Sequence, residues 1–456
     1  MKNNSKQIQY SLLCSICVAF IFLFFYYFTI AIFPASPLIM RGELNHVFIW
    51  SLSGVALSFL RSSLLKVVFI IIMGFYVVGN LNAVASYYHY GLHYLTDLIL
   101  TNFIYSIFTL VFILGLVFFE RVMKIDKMVV QENLIIEPWN TLFMATLFVF
   151  PFIWLFDQLI AVGGIPPILS GKSIVNEMYT TEYGRLYGYG VILSISALLM
   201  WQKKTESSNL MKSTIWIGIL ITLFAMIFDG RRVFLLIFIG SLISFEVVRF
   251  GEKNMIKPLV KYGAILIVAY IGLLFARQGG WIFNSAESAT IFSAVGVEYR
   301  DFAFVVTHFL PGSVPGYSFL GSILGGFGNS LFLSILGLSK NALVFSGSAY
   351  QLAILYKSNF GIRVGLFAEI WLEWGWFGLA PLFICSFIFA SAVRLVLNTT
   401  TQVGRAFSCV IFSVLLLTFV GQASAAAGYF SLLLYLWFVW KFLNLSAFVG
   451  KPNDKK

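Results

Sequence analysis

Apolar residues occur in long, nearly uninterrupted runs, and charged residues are mostly confined to the ends of these runs. A run of about 18 apolar residues or more predicts a membrane-spanning helix, because about 20 helical residues cross the hydrocarbon core. The sequence therefore predicts an all-α, polytopic membrane protein with about twelve spans, forming a single domain over residues 1–456. The spans are expected at residues 9–33, 44–60, 67–88, 98–119, 139–162, 186–201, 213–228, 232–249, 261–276, 364–393, 406–424 and 428–447.

The composition excludes an ordinary soluble protein. The chain is 60% hydrophobic and only 11% charged, whereas soluble domains carry about 25% charged residues. Its four cysteines all lie inside apolar runs, which favours packed or lipid-facing thiols over metal or redox chemistry. The formal net charge of +11 is largely explained by basic residues flanking the spans, and nothing in the sequence indicates nucleic-acid binding.

The positions of lysine and arginine predict the orientation. With a cytoplasmic N-terminus, twenty of the 30 basic residues fall on the cytoplasmic side, as the positive-inside rule requires. Both termini are therefore expected in the cytoplasm, which agrees with an even number of spans. Most of the remaining, outer basic residues are arginines, and arginine binds phosphate or carboxylate through a rigid two-pronged fork.

The longest interval between predicted spans, residues 277–363, is expected to form a large outer segment between spans nine and ten. Its glycine-broken apolar middle is expected to lie in the outer membrane interface. Directly after it, Glu369 and Glu373 stand one helical turn apart and share a helix face. Tryptophans are interleaved with them, so the pattern fits an interfacial aromatic belt as well as a site that faces a cavity.

A second outer feature is the tight connection between spans seven and eight, Asp229-Gly230-Arg231-Arg232. Arg231 and Arg232 open a helix whose free backbone N–H groups suit an anion, above all a phosphate. The alternative is that both arginines reach up to lipid headgroups.

Several chemistries lack their usual motifs. The sequence contains no glycine-rich phosphate loop, no HExxH, no pair of CxxC motifs and no serine elbow, which are the local patterns of nucleotide, metal and acyl-transfer sites. We therefore expect no metal and no cofactor. No cytoplasmic loop is long enough to hold a nucleotide-binding domain.

Three stretches together carry a family resemblance: GRR at 230–232, EYRDFAFV at 298–305 followed by GYSFLGSILGGF at 316–327, and GIRVGLFAEIWLEWGWFGL at 361–379. In these stretches the chain resembles the Wzy-type oligosaccharide repeat unit polymerases, or O-antigen polymerases, over roughly residues 229–381. The resemblance implies a metal-independent glycosyltransferase at the periplasmic face of the bacterial inner membrane. It also implies membrane lipids, a flippase and a chain-length regulator as partners.

The implied substrates are glycans linked to undecaprenyl pyrophosphate. A hydroxyl of one repeat unit attacks the anomeric carbon of the growing glycan, and the carrier pyrophosphate leaves. Arginines can stabilise the negative charge that develops on it, and the candidates are Arg231, Arg232, Arg300 and Arg363, with Arg277 behind them. The hydroxyl needs a base, for which the candidates are Glu369 first, then Asp301 and Glu298, and lastly His308.

Two other functions remain open at this stage. A glycan ligase would move finished chains from the carrier to another acceptor, and sequence alone separates it poorly from a polymerase. A lipid-linked oligosaccharide flippase or exporter is expected to carry charge in a central cavity and only short loops. This chain instead concentrates charge in one outer segment, which favours catalysis. The product could be an O-antigen, a capsule or an exopolysaccharide.

Overall fold

A computed structural model of the chain describes residues 2–32, 46–90, 98–125, 140–162, 189–204, 209–228, 233–250, 256–277, 297–327, 347–355, 364–419, 421 and 423–449. Within these ranges 91% of the residues are helical and none lies in a strand. The all-α class predicted from the apolar runs is therefore confirmed for this part of the chain.

The described helices are numbered α1 to α16 in chain order. They span Lys2–Ile32, His46–Phe59, Ser63–Tyr90, Leu98–Val122, Asn140–Val162, Ile192–Lys204, Asn209–Ile227, Val233–Phe250, Ile256–Arg277, Val297–His308, Phe319–Phe327, Ser348–Leu355, Leu366–Trp374, Leu379–Asn398, Gln402–Leu416 and Ala423–Val449. Short 3₁₀ turns at Gly375–Gly378 and Leu417–Phe419 follow α13 and α15.

Five of the described helical stretches are long and apolar enough to cross a membrane. They are Gln7–Thr29, Ser63–Val84, Leu98–Val122, Leu366–Asn398 and Gln402–Phe419. Each coincides with a span predicted from the sequence. The 33-residue stretch that combines α13 and α14 is the longest of them, and its first turns contain Glu369 and Glu373.

The chain divides into two compact units. The first comprises Met1–Met128, Phe283–Arg394 and Leu416–Gly428. In this unit α1 packs along α2, and α2 packs against α4. The close approach of α1 depends on Gly54, because a Cβ there would meet the Cys14 carbonyl oxygen at 3.0 Å. A 2.6 Å hydrogen bond between the hydroxyls of Ser11 and Ser58 joins the same two helices.

A buried carboxylate organises the turn between α2 and α3. Glu120, near the end of α4, accepts backbone N–H bonds from Arg61 at 3.0 Å and from Ser62 at 2.5 Å. These N–H groups precede the first turn of α3, where an acceptor satisfies donors that the helix leaves unpaired. Glu120 thus caps α3 from a neighbouring helix.

The second unit comprises Val129–Ile282, Leu395–Leu415 and Tyr429–Lys456. Helices α5 to α8 pack around one another, and α9 packs on α8. Trp154 lies in its core and contacts the rings of Phe228 and Phe234, each at a centroid distance of 6.4 Å. The Ser413 hydroxyl donates a 2.8 Å hydrogen bond to the Ile237 carbonyl and so joins α15 to α8.

An aromatic core holds α13 in the first unit. The Phe367 ring lies 5.0 Å from the Tyr105 ring of α4 and 5.6 Å from the Phe419 ring of the 3₁₀ turn. At the start of α13, a Cβ on Gly365 would stand 2.5 Å from the Phe419 carbonyl oxygen. Glycine at this position therefore allows two backbone segments to meet, and α13 is fixed against both α4 and the turn before α16.

Candidate functional site

Helix α10 lies in the predicted outer segment and packs onto α3, α4 and α13. Its apolar positions follow the helical period, with Tyr299, Phe302 and Ala303 all buried. Tyr299 fits against α3 because Gly79 has no side chain that would collide with it, and its hydroxyl donates a hydrogen bond to the Asn102 side chain of α4. The helix is thus anchored by its apolar face.

The polar residues of α10 include an ion pair between sequence neighbours. The Arg300 guanidinium donates from Nε and Nη2 to the same oxygen of Asp301, at 3.2 and 3.0 Å. The Arg300 side chain is 24% exposed and that of Asp301 is 13% exposed. Asp301 occupies one edge of the guanidinium, and Nη1 on the other edge has no hydrogen-bond partner among the described residues. Arg300 is thus held in place by its sequence neighbour.

Glu369 has a different environment, since its side chain is fully buried. One carboxylate oxygen accepts from the Ser348 hydroxyl at 2.7 Å, and the other accepts from the Ala423 backbone N–H at 2.8 Å. Ser348 is the first residue of α12, Ala423 is the first residue of α16, and Glu369 itself lies in the first turn of α13. Three helix N-termini therefore meet at one carboxyl group, and their dipoles partly offset the cost that burial imposes on its negative charge.

The loop between α10 and α11 packs against α13 through three hydrogen bonds. The Gly312 N–H donates to the Leu372 carbonyl at 2.7 Å, and the Phe319 N–H donates to the Glu373 carboxylate at 2.8 Å. The Tyr317 hydroxyl donates to the Glu369 carbonyl at 3.0 Å. Burial, followed by the nearby Glu369 and Glu373 carboxylates, raises the pKa of Tyr317 well above its usual value. This phenol therefore stays a donor.

The predicted site residues fall into separate groups. Arg300 and Asp301 are brought together on α10, whereas Glu369 lies in its own hydrogen-bond network on α13. His308 is exposed at the end of α10, with its ring 4.7 Å from that of Phe304. The side chains of Glu298 in α10 and Arg277 in α9, and the whole of Arg231, Arg232 and Arg363, lie outside the described residues.

Three participants were missed by the sequence reasoning. Ser348 and Ala423 gave no signal, because one lies in a stretch of small residues and the other contributes only its backbone N–H. Asn102 is an isolated amide in an apolar run, and an intramembrane polar residue of this kind is a functional candidate on general grounds. It was nonetheless overlooked. The hydrogen bonds of all three residues could not be predicted from local sequence, since their partners lie on other helices.

No group of three His, Cys, Asp or Glu side chains that could hold a metal ion occurs among the described residues. In comparisons with known proteins, no family model, curated protein or solved structure matches this chain. The described part of the site consists of the Arg300 guanidinium beside the Asp301 carboxylate and of the enclosed Glu369 carboxylate, which joins three helices.

Proposed function

We propose that the chain is a membrane-embedded glycosyltransferase that polymerises oligosaccharide repeat units carried on undecaprenyl pyrophosphate. The observation that carries the proposal is the geometry of Arg300. Its guanidinium is oriented by Asp301, has no other hydrogen-bond partner among the described residues, and stands on a helix anchored to the bundle. This arrangement suits a diphosphate, whose oxygens match the planar fork of arginine.

The proposed reaction transfers a glycan between two carriers. A hydroxyl oxygen of the acceptor repeat unit forms a bond to the anomeric carbon of the donor glycan. The bond from that carbon to the pyrophosphate oxygen breaks, and undecaprenyl pyrophosphate leaves with the electron pair. Arg300 stabilises the charge on the leaving group, and Arg231, Arg232, Arg277 and Arg363 remain candidates for this role from the sequence pattern alone. Fixed donors aimed at developing charge are commonly the largest catalytic contribution.

The acceptor hydroxyl loses its proton to a carboxylate. Sequence reasoning favours Glu369 for this role, but its side chain is fully enclosed and both of its oxygens already accept hydrogen bonds. We therefore propose that Glu369 is a positioning residue, which holds α12, α13 and α16 together. The proton acceptor is then proposed to be Asp301 or Glu298, which stand on α10 with Arg300. His308 is the remaining candidate.

The proposal includes a cellular setting. About twelve spans with both termini in the cytoplasm would place residues 277–363 in the periplasm, beside the bacterial inner membrane. The distribution of lysine and arginine supports this topology. The partners would be the lipid-linked glycans, membrane lipids, a flippase that delivers repeat units and a chain-length regulator.

The test uses the purified full chain in lipid vesicles with repeat units linked to undecaprenyl pyrophosphate. We expect the wild-type chain to produce a ladder of glycans. Arg300→Ala should reduce the rate about 10²–10³-fold, as loss of one donor to a developing anion does elsewhere, and Arg300→Lys should restore only part of it because lysine lacks the fork.

The matched control is Arg249→Ala. Arg249 is also a partly exposed arginine near a carboxylate, Glu246, at 3.9 Å, but it belongs to the predicted cytoplasmic side. Its replacement should leave the rate unchanged. If the Arg300 variants polymerise at the wild-type rate, the assignment of Arg300 is wrong. If the wild-type chain transfers glycans only to other acceptors, or moves them without forming bonds, the chain is a ligase or a flippase.

A further inference from the structure

Three exposed basic side chains lie at one end of the first unit. Arg61 belongs to the turn between α2 and α3, Arg121 lies in the last turn of α4, and Lys124 lies in the turn that follows this helix. The two segments meet at Glu120, whose carboxylate accepts the Arg61 N–H at 3.0 Å. Glu120 is only 1% exposed, so the accessible side chains here are cations, and they outnumber the one carboxylate. We call Arg61, Arg121 and Lys124 the basic surface.

Arg121 is oriented by an aromatic ring. The central carbon of its guanidinium lies 5.7 Å from the centroid of the Phe59 ring. Phe59 is the last residue of α2 and is 38% exposed. The negative face of an aromatic ring attracts a guanidinium without neutralising it. Neither Arg121 nor Lys124 has an ion-pair partner among the described residues, so both keep their charge for another anion.

The backbone of Lys124 is strained. Its φ is 55°, and it is the only non-glycine residue with a positive φ in the described ranges. Its N–H donates to the Arg121 carbonyl at 3.1 Å, so it ends α4 at a position that usually holds glycine. A side chain kept where glycine would be less strained requires an explanation. The feature that glycine lacks is the ammonium group.

An exposed apolar face leads up to the basic surface. Leu114 and Phe118 precede Arg121 by seven and three residues, so all three share one face of α4. Their exposed fractions are 49% and 51%, and they belong to a helix that is long and apolar enough to cross a membrane. Along this face an apolar stretch is followed by a cation. A phospholipid has the matching order, with acyl chains followed by a phosphate.

We infer that the basic surface binds the phosphate of an anionic phospholipid, whose acyl chains lie along Leu114 and Phe118. Arginine donates to phosphate oxygens through its planar fork, and basic residues at a membrane surface attract anionic lipids. Free phosphate has the same headgroup chemistry, but the adjoining apolar face favours the lipid. The inference goes beyond the proposed function and needs no glycan, so the two can fail separately.

The experiment measures lipid binding to the purified full chain by native mass spectrometry from detergent micelles. The chain is titrated with phosphatidylglycerol, which is anionic, or with phosphatidylcholine of the same acyl chains, which has no net charge. We expect the first phosphatidylglycerol to bind about tenfold more tightly than the first phosphatidylcholine, or better, because several cations contribute. Inorganic phosphate added in excess should not displace it.

Three single variants each remove one cation. Arg61→Gln keeps the hydrogen bond to Glu120, which the backbone N–H makes; the others are Arg121→Gln and Lys124→Gly. Each should weaken phosphatidylglycerol binding about fivefold, the factor expected for one basic residue at an anionic membrane surface. Lys124→Gly should also melt at or above the wild-type temperature, because glycine adopts a positive φ without strain. A role confined to ending the helix could not weaken binding while the fold becomes more stable.

The matched control is Lys257→Gln. Lys257 is also exposed and predicted to lie on the cytoplasmic side, but it belongs to α9 of the second unit. This variant should keep the wild-type affinity. An equal loss of affinity in the control would overturn the inference and indicate diffuse attraction to positive charge. Equal binding of the two lipids would also overturn it, because the acyl chains alone would then account for binding. Displacement by inorganic phosphate would identify a free-phosphate site instead of a lipid site.

Discussion

The role of Glu369 gives the sharpest prediction, because the structure and the sequence favour different roles for it. The perturbation is a pair of uncharged substitutions, Glu369→Gln and Glu369→Ala. Glutamine can keep both hydrogen bonds of the network. Its oxygen can accept from the Ala423 N–H, and its amide can donate to the Ser348 hydroxyl oxygen, which also accepts. Alanine keeps neither bond and leaves two buried donors unpaired.

The magnitude follows from comparing the two variants with each other. Neither variant carries a charge, so the desolvation of the buried carboxylate cancels from their difference. Each orphaned donor costs about 1–3 kcal/mol, which makes Glu369→Ala less stable than Glu369→Gln by at least about 2 kcal/mol. For a unit of this size, that corresponds to a melting temperature lower by about 4 °C or more. The cavity left by alanine adds to the difference.

The assays are the melting temperature in detergent and the rate of polymerisation in vesicles. If Glu369 is a positioning residue, Glu369→Gln should keep the rate within about tenfold of the wild type. A general base contributes about 10²–10⁴-fold. A glutamine variant that melts like the wild type but has lost this much rate would refute our assignment and identify Glu369 as the base. Equal melting temperatures for the two variants would refute the hydrogen-bond network itself.

Three further predictions concern the scaffold around the site. The pKa of the Tyr317 hydroxyl is higher in the folded protein than its usual value of 10.0, so the unfolded chain loses this proton first as the pH rises. The free energy of unfolding should therefore fall as the pH rises above about 10, and the melting temperature of Tyr317→Phe should vary less with pH over that range. Gly365→Ala should lower stability by about 1–3 kcal/mol, because its Cβ would stand 2.5 Å from the Phe419 carbonyl oxygen; a melting temperature equal to that of the wild type would contradict this contact. Glu120→Ala should cost about 1–2 kcal/mol, as loss of a helix cap does, and faster hydrogen exchange should appear at the first turn of α3; unchanged exchange there would show that Glu120 is not the cap.

The helical class and the positions of the long apolar helices were predictable from the sequence. The run from Leu98 to Val122 is apolar enough to be recognised without any knowledge of its neighbours, because the thickness of the membrane alone fixes the required length. The same applies to the long stretch that starts at Leu366. In these segments a single continuous apolar run is enough to predict the helix, and no contact with another part of the chain is needed.

The contacts within the site were not predictable in this way. Ala423 donates to Glu369 through its backbone, and no side chain marks it. The pairing of Arg300 with Asp301 was foreseeable from their adjacency, but which edge of the guanidinium faces Asp301 depends on the rotamer that the packing of α10 allows. Tyr299 and Asn102 are almost two hundred residues apart, and only the packing of α10 on α4 joins them.

The most direct measurement of the central claim is the stoichiometry of the reaction. Purified wild-type chain in vesicles, supplied only with repeat units linked to undecaprenyl pyrophosphate, should release one molecule of undecaprenyl pyrophosphate for each repeat unit added to the ladder, as mass spectrometry and gel analysis can count. Arg300→Ala should slow both processes equally. Repeat units that cross the bilayer with no carrier released and no ladder formed would contradict the account.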